Sequence, residues 1–544
     1  MAKIISMDEA VELFKDDDIL LACCFGMGGW PHELMSNVQD KFFRTGHPCN
    51  LTHVHAAGCI GESLMGVEGF VTRNISSHQS TSPHLAMVTA QNKNASWYMP
   101  LGAMLQMYRE QGRGLPGALS KVGLGTFMDP RVEGGCLNDK ARELTKQYAE
   151  QGCSLIEYVP DFFGEEYLFY RGLKYTKAIL RGTSADTNGN ISCEKESYNL
   201  ELATAARAVK ACGGKVIVQV ERIVPAGQLN PKLVKVGRNL VDYVVVATRP
   251  EMIVQGLHGA IPEGSNYGYW DGLTGQQRVV LGETLPPLEL DPKKVICRRA
   301  TMEIEPDTLC NFGIGMPTFL GNVLNEEGCM DDITMISESG SVGGVPGGGP
   351  DFGCHWNLEW ATDQGDHFDW FDGTGLDFGA FGLSEAQEDG SMNVSFLNGV
   401  TLGVGGFSNI TRGSKKAIFI GTFTTKGLKE HIENGKLVID QEGKIKKFVK
   451  KCDQISFDAN VAVKQGKPVK YITERCVIER TEEGMVLTEV APGVDIQKDI
   501  IDQMEFEPVI PAGGPKLMPA EIFAEEWGGL RAIFDAKAAE KADK

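Results

Sequence analysis

Short apolar segments alternate with helical patterns along most of the chain. Residues 215–220, 243–247 and 416–421 are apolar runs rich in β-branched residues, the pattern of strands buried on both faces. Residues 139–151 and 202–212 instead repeat their apolar positions with a helical period. Because strands that alternate with helices form parallel sheets covered on both faces, the pattern predicts an α/β fold with mostly parallel, doubly wound sheets.

The chain also carries one motif twice. An apolar run that begins at Asp18 or at Asp307 leads into Phe-Gly-x-Gly and then into a proline that opens a helical stretch. A weaker pair is formed by residues 185–192 and 388–395, and each member precedes one of the buried-strand patterns. The repetition indicates two related doubly wound halves.

We place the first half at residues 1–287, a linker at 288–299, where the chain is charged and contains proline, and the second half at 300–544. Chance similarity between glycine turns is the alternative to a true repeat, because motifs this short also occur by accident.

Glu338 follows a further buried-strand pattern, residues 332–336, and precedes a segment of glycine and small residues that runs to Pro350. Strand ends followed by glycines let a ligand or another backbone approach closely. No lysine or arginine lies within ten residues, so a salt bridge to a sequence neighbour is disfavoured. A carboxylate in this place is a candidate nucleophile. A flexible glycine loop with a solvated glutamate remains equally compatible with the segment.

Common nucleotide and hydrolase motifs are missing. The glycine segment lacks the Gly-Lys-Ser/Thr ending of a phosphate-binding loop, and both Phe-Gly-x-Gly motifs lack the third glycine of a dinucleotide site. No Gly-x-Ser-x-Gly elbow stands in a suitable strand context. Residues 401–407 form another strand-end glycine cluster, whose backbone N–H groups could face a developing oxyanion or simply form a tight turn.

Composition narrows the function classes. The 544 residues carry a formal net charge of −19, which disfavours nucleic-acid binding but allows an anionic cofactor. No run of 18 apolar residues and no secretory leader is found, so we expect a cytoplasmic protein without a membrane span. Fourteen cysteines without a Cys-x-x-Cys pair and ten histidines without a His-Glu-x-x-His pattern predict reduced thiols and no metal site.

Several ordered motifs resemble those of family I coenzyme A transferases, in the propionate CoA-transferase and acetate:3-oxoacid CoA-transferase group whose two subunit types are fused. The resemblance rests on Glu338-Ser339-Gly340, on Gly313 to Pro317 and on Gly403 to Phe407. It covers nearly all 544 residues through further segments in the same order: 122–130, 166–170, 179–183, 471–475 and 491–495.

This resemblance implies a CoA-transferase that moves coenzyme A from an acyl-CoA to a carboxylic acid by a ping-pong mechanism. Glu338 falls on the catalytic glutamate, and backbone N–H groups at Met316, Gly405 and Gly406 fall on the oxyanion hole. Coenzyme A is then a substrate and a covalent intermediate, no cofactor is permanently bound, and a homotetramer is expected. Glycines near these motifs are expected to border the substrate: Gly28, Gly313, Gly315, Gly340 and Gly343.

One position departs from the family pattern. In related enzymes a glutamine that helps to hold the acid commonly stands where this chain has Leu101. An aliphatic side chain cannot hydrogen-bond a carboxylate, so the departure favours a bulkier, aromatic or branched acid over acetate or propionate. Trp97, Tyr98 and Met99 are expected either to wall such a pocket or to belong to the core.

Two other functions fit the same scaffold. Water could resolve a glutamyl–CoA thioester in place of an acid, which would make the protein an acyl-CoA hydrolase. A non-catalytic ligand sensor could also use the fold, but the intact Glu338 and both glycine clusters disfavour it.

Overall fold

The structure is a computed structural model that describes residues 2–26, 28–249, 272–273, 275 and 277–542. Met27, inside the first Phe-Gly-x-Gly motif, lies outside the described residues. The α-helices of this part span Met7–Val11, His32–Thr45, Pro83–Ala90, Leu101–Gly112, Asp139–Glu150, Leu202–Ala211, Leu281–Thr284, Pro292–Thr301, Phe319–Glu326, Gln364–Asp372, Phe407–Gly413, Ala459–Lys464 and Leu530–Ala542. Shorter 3₁₀ or π turns span Ile60–Met65, Met316–Thr318, Met330–Asp332, Gly349–Asp351, Ile496–Ile500, Ile501–Gln503 and Ala520–Phe523.

The first half is built on a sheet whose strands are all parallel. Its buried strands carry continuous apolar runs because helices cover both faces. In spatial order the strands are Lys3–Ile5, Tyr243–Val246, Lys215–Val220, Lys177–Arg181, Ile19–Ala22, Leu51–His55, Val71–Ser76 and Ala95–Tyr98.

The second half contains a sheet that is parallel over its first five strands and then gains antiparallel strands. Ile333–Met335, predicted from sequence to be a buried strand before Glu338, is its edge. In spatial order the strands are Ile333–Met335, Thr308–Phe312, Leu376–Gly382, Ser414–Ile420, Val469–Ile472, Cys476–Thr481, Gly484–Val490 and Lys516–Leu517.

The two sheets share one order over five parallel strands, which confirms the predicted α/β fold of two related halves. In the first sheet the strand before the Phe-Gly-x-Gly motif, Ile19–Ala22, lies between Leu51–His55 and Lys177–Arg181. In the second sheet the corresponding strand, Thr308–Phe312, lies between Ile333–Met335 and Leu376–Gly382. The weaker sequence pair also has a common structure, because residues 184–192 and 385–393 each form a small antiparallel pair that a third strand extends in parallel.

Short ladders complete the described strands. They are Arg222–Val224, Ser184–Asp186, Ile191–Ser192 and Val234–Val236 in one sheet; Gly117–Ser120, Glu165–Arg171 and Ile156–Phe162 in another; Met392–Asn393, Glu385–Gln387 and Phe448–Val449 in a third; and the pairs Ser341–Val342 with Trp360–Ala361, Val345–Pro346 with His355–Trp356, Phe396–Leu397 with Val400–Thr401, Thr424–Thr425 with Ile445–Lys446, and Lys429–Glu433 with Lys436–Gln441.

The segment expected to be a linker is largely a buried helix. Asp291 caps helix Pro292–Thr301 by accepting a hydrogen bond from the Lys294 N–H, and the proline occupies the first turn, where its missing N–H costs nothing. Arg298 is buried because its guanidinium donates to backbone carbonyls near the end of the chain, and Arg299 pairs with Glu489. The exact boundary between the halves stays a prediction.

The two halves share one hydrophobic core. A continuous cluster of buried side chains extends from Leu21 in the first half to Phe534 in the last helix. Helix Leu101–Gly112 of the first half packs on helix Gln364–Asp372 of the second, where Gly102 gives room to Asn409 and Phe368. Within the described residues, no helix combines the length and apolarity needed to cross a bilayer.

Candidate active site

Glu338 lies at the carboxyl edge of the second sheet. It follows strand Ile333–Met335, which runs parallel to Thr308–Phe312. The Asn311 amide donates to the Ile336 carbonyl at 2.8 Å and so ties the two strand ends together. The motif at Gly313 leaves the neighbouring strand at the same edge, as expected for a ligand site in a parallel sheet.

The Glu338 carboxylate faces the glycine turn at residues 403–406, as the resemblance implies. A Cβ placed on Gly406 would lie 2.7 Å from the Glu338 Cδ and Oε2 atoms, so only glycine leaves the carboxylate its place. Glu338 is partly exposed, yet burial raises its pKa to about 7, and the hydrogen bond donated by the Gly406 N–H offsets only part of that rise. A carboxylate of this kind is a stronger nucleophile than a fully hydrated one.

The first half holds this turn in place. The Ser77 carbonyl accepts the N–H groups of Val404 at 2.9 Å and Gly405 at 3.2 Å, and the Leu402 carbonyl accepts the Gln79 N–H at 3.1 Å. Of the two predicted oxyanion donors here, the Gly405 N–H is therefore engaged by Ser77, and the Gly406 N–H is directed at Glu338.

Gly313, Gly315 and Met316 lie together at the end of strand Thr308–Phe312. Gly315 adopts φ +84°, and a Cβ there would meet open space, so its backbone borders solvent. Met316 opens a short 3₁₀ turn that leads into helix Phe319–Glu326. The Gly313 N–H donates to the Ala380 carbonyl at 2.9 Å and is therefore already engaged. Among Gly313, Gly315 and Met316, the predicted oxyanion donor is the Met316 N–H.

Gly340 and Gly343 are required by the fold of the segment after Glu338. The segment is not a free loop but a pair of short ladders, Ser341–Val342 and Val345–Pro346 with their partners. Both glycines adopt positive φ, and a Cβ would collide with the Thr362 carbonyl at Gly340 and with Glu359 at Gly343. Their expected contact with substrate stays a prediction.

Gly28 belongs to a closed turn, since its N–H donates to the Phe25 carbonyl at 2.9 Å and its carbonyl accepts the Phe25 N–H. This turn lies against the second half. The Phe25 ring stacks on Phe352 with centroids 5.9 Å apart, and the Tyr198 hydroxyl donates to the Phe352 carbonyl. Gly28 therefore supports the contact between the halves, and its binding role stays a prediction.

Leu101 begins helix Leu101–Gly112 and contacts the glycine turn at residues 403–406 through its backbone, because its N–H donates to the Gly405 carbonyl at 3.3 Å. Its side chain is fully buried. Trp97, Tyr98 and Met99 are buried as well, and the Trp97 indole donates to Thr145 at 2.8 Å. The structure thus places these three aromatic and sulfur side chains in the core.

Sequence reasoning missed a buried polar cluster behind the turn of the first half. His53 Nε2 and His55 Nδ1 lie 2.9 and 3.0 Å from Glu62 Oε1, and the Cys24 thiol donates to the same oxygen at 3.3 Å. Burial alone would raise the pKa of Glu62, but His55 and His53 bring it below its usual value. The pattern His-x-His on a strand places both rings on one face and could have revealed the cluster.

The same residues could in principle hold a cation, since His53, His55 and Glu62 offer ligand atoms within 4.8 Å of one another. A hydrogen-bonded network explains them better. The distances are hydrogen-bond lengths, and the outer nitrogens His53 Nδ1 and His55 Nε2 lack the partners that metal-bound histidines normally have.

Comparisons with known proteins agree on one family. A family model described as Coenzyme A transferase matches residues 4–247. The chain is 40% identical over 544 residues to the caffeate CoA-transferase of Acetobacterium woodii, covering 98% of this chain and 100% of that protein. It is 36% identical to the acetate CoA-transferase YdiF of Escherichia coli (strain K12) over 536 residues, 96% of this chain and 95% of that one. The structure of the acyl-CoA transferase YdiF from E. coli O157:H7, a thioester complex with CoA, superposes with a TM-score of 0.87 at 34% identity and covers 97% of each chain.

Proposed function

Because the chain belongs to the coenzyme A transferase family and is a single-chain CoA-transferase, we propose that it transfers coenzyme A through a covalent intermediate on Glu338. One observation carries the proposal. The Glu338 carboxylate is desolvated, has a pKa raised to about 7, and fills the space that glycine leaves at residue 406. A carboxylate so placed is suited to attack a bound thioester rather than to form a salt bridge.

The chemistry balances in two half-reactions. A Glu338 oxygen attacks the thioester carbonyl carbon, and the carbon–sulfur bond breaks. The products are an acyl–glutamyl anhydride and the free CoA thiolate. The thiolate then attacks the Glu338 Cδ atom and releases the acyl group as a carboxylate, which leaves a glutamyl–CoA thioester. A second acid repeats these steps in reverse. Each tetrahedral oxyanion needs fixed donors, and we assign this role to the N–H groups of Gly406, which donates to Glu338, and of Met316, which opens the turn after strand Thr308–Phe312.

This mechanism is tested by trapping the intermediate. Incubation with acetyl-CoA and no acceptor acid is expected to add the mass of CoA less water to the peptide that contains Glu338. Borohydride is expected to inactivate the enzyme only after exposure to acetyl-CoA, because it reduces the thioester. The adduct is read by mass spectrometry of the acid-quenched protein.

Two outcomes would reject the covalent route or the transfer reaction. Intersecting double-reciprocal plots, together with no CoA-sized adduct, would mean that both substrates meet directly. Equal loss of thioester with and without an added acid would identify the protein as an acyl-CoA hydrolase, because water would then resolve the intermediate.

For the acid we propose a bulky, aromatic or branched carboxylate. Leu101 is apolar and its N–H donates to the Gly405 carbonyl, so at the position where related enzymes commonly carry a glutamine this chain offers a small acid no side-chain hydrogen bond. The name of the relative at 40% identity, a caffeate CoA-transferase, supports this class, whereas that of the acetate CoA-transferase at 36% supports a short acid. The homotetramer and the cytoplasmic location stay predictions.

Leu101→Gln is expected to shift selectivity toward short acids. The amide supplies a donor to a small carboxylate, but costs about 1–3 kcal/mol when a bulky acid leaves it unpaired. Measured as kcat/KM for a panel of acids with propionyl-CoA as the donor, the ratio of acetate to a cinnamate-type acid is expected to rise about tenfold or more. Leu101→Met, which conserves volume without a donor, serves as the control. An unchanged profile in Leu101→Gln would place Leu101 outside the acid pocket.

A further inference from the structure

His78 is a first-half side chain that reaches the catalytic turn of the second half. It follows strand Val71–Ser76 by two residues and forms an antiparallel bridge with Gly403. A Cβ on Gly403 would collide with the His78 main chain, so glycine is required for this approach. Backbone contacts therefore join the loop of the first half to the turn next to Glu338.

The His78 ring lies between two glycines, one from each half. A Cβ on Gly58 would be 3.1 Å from His78 Nε2, and a Cβ on Gly405 would be 3.8 Å from His78 Nδ1. The His78 side chain is partly exposed, and so is the side chain of Glu338. Gly405 precedes Gly406, whose N–H donates to Glu338, so Nδ1 faces the part of the glycine turn that contacts Glu338.

The ring is neutral and weakly held. Burial lowers the pKa of His78 to about 4, so the imidazole carries one N–H at neutral pH. Its polar neighbours are the hydroxyls of Thr81, 3.4 Å from Nε2, and Ser77, 3.3 Å from Nδ1, both long for hydrogen bonds. In the tautomer that carries the proton on Nδ1, the Thr81 hydroxyl donates to Nε2, and a stronger acceptor can replace Ser77 at Nδ1.

We propose that the Nδ1–H of His78 binds the carboxylate of the acid substrate beside Glu338. This rests on the proposed function, in which an acid carboxylate must reach the Glu338 thioester out of bulk water. A carboxylate that gives up its hydrating water on entering the site needs a hydrogen-bond donor in exchange. Leu101, which contacts Gly405 through its backbone, has no side-chain donor. The first half supplies a neutral donor, His78, in place of a donor at residue 101. A neutral donor can hydrogen-bond the acid carboxylate without forming an ion pair with Glu338.

The test compares His78→Asn with His78→Leu. Asparagine keeps a donor close to the Nδ1 position, and leucine has a similar shape without one. We expect the leucine variant to raise KM for the acid by about 10- to 100-fold, and the asparagine variant to recover most of that loss. His78→Asp matches asparagine in shape but repels a carboxylate, so it is expected to raise KM for the acid further. If the leucine variant fails to fold, the aspartate variant still allows the comparison with asparagine.

A second readout separates substrate binding from damage to the site. The CoA adduct is expected to form from acetyl-CoA in both His78→Asn and His78→Leu, more slowly in His78→Leu because the acetate released in this step leaves through the same carboxylate position. The same substitutions at His84, an exposed histidine of helix Pro83–Ala90, are expected to change neither value.

Each result decides a different claim. Equal KM values for the acid in the asparagine, leucine and aspartate variants would overturn the role of His78. Absence of the adduct in the wild-type protein would instead reject the covalent route through Glu338, whatever the His78 variants do.

Discussion

Glu338→Gln and Glu338→Ala are expected to lower CoA transfer by about 10⁴- to 10⁶-fold, the range for losing a covalent nucleophile or the group that activates it. The amide keeps the size of the side chain but cannot form the acyl anhydride. The loss is measured as kcat with acetyl-CoA and the preferred acid, together with the absence of the CoA adduct. Activity near the wild-type value in either variant would end the assignment of Glu338 as the nucleophile.

Both variants are expected to fold, which makes the comparison meaningful. The pKa of Glu338 is higher in the folded protein than in the unfolded chain, so above its ordinary pKa its ionisation opposes folding. Glutamine removes this cost, and the melting temperature at pH 7 is expected to stay equal or to rise. Glu359→Gln, at an exposed carboxylate just before strand Trp360–Ala361 of the ladder that follows Glu338, is the matched control and should retain activity.

Much of the fold could be predicted because local patterns decide it. Continuous apolar runs at 215–220 and 416–421 became central parallel strands, and the helical period at 139–151 became helix Asp139–Glu150. The repeated motif predicted two related halves, which the common strand order confirms. Helix Pro292–Thr301 was not predicted because its charged residues suggested a linker. In the structure Arg298 donates to a backbone carbonyl and Arg299 pairs with Glu489, so both arginines are buried.

The candidate site was partly predictable for a similar reason. Strand-end glycines and the isolated Glu338 pointed to the edge of the sheet at which the structure brings Gly406 against the carboxylate. His78 was not predictable, because its place depends on how the loop of one half pairs with the turn of the other. No local pattern encodes that pairing. The His-x-His pattern does place His53 and His55 on one face of a strand, but their pairing with Glu62 depends on the turn Ile60–Met65.

Gly406→Ala is expected to reduce transfer by about 10²- to 10³-fold without unfolding the protein. Gly406 has φ −80° and ψ −8°, which alanine adopts without strain, so the backbone tolerates the change. The added methyl group would lie 2.7 Å from the Glu338 carboxylate and must displace it. A nucleophile moved by about 1 Å loses on the order of 10²-fold in rate, and disturbing an oxyanion donor costs a similar factor. The measurement is the single-turnover rate of CoA adduct formation.

Gly513→Ala is the matched control for this substitution, because Gly513 also has a negative φ and a Cβ there meets open space. We expect it to keep the wild-type rate and melting temperature. If Gly406→Ala also keeps the wild-type rate, the contact between the turn and Glu338 does not set the reactive geometry. If it instead loses activity together with its melting temperature, the turn acts mainly as a contact between the halves. A loss of rate at an unchanged melting temperature would assign Gly406 to the placement of the nucleophile, since the methyl group then acts on Glu338 alone.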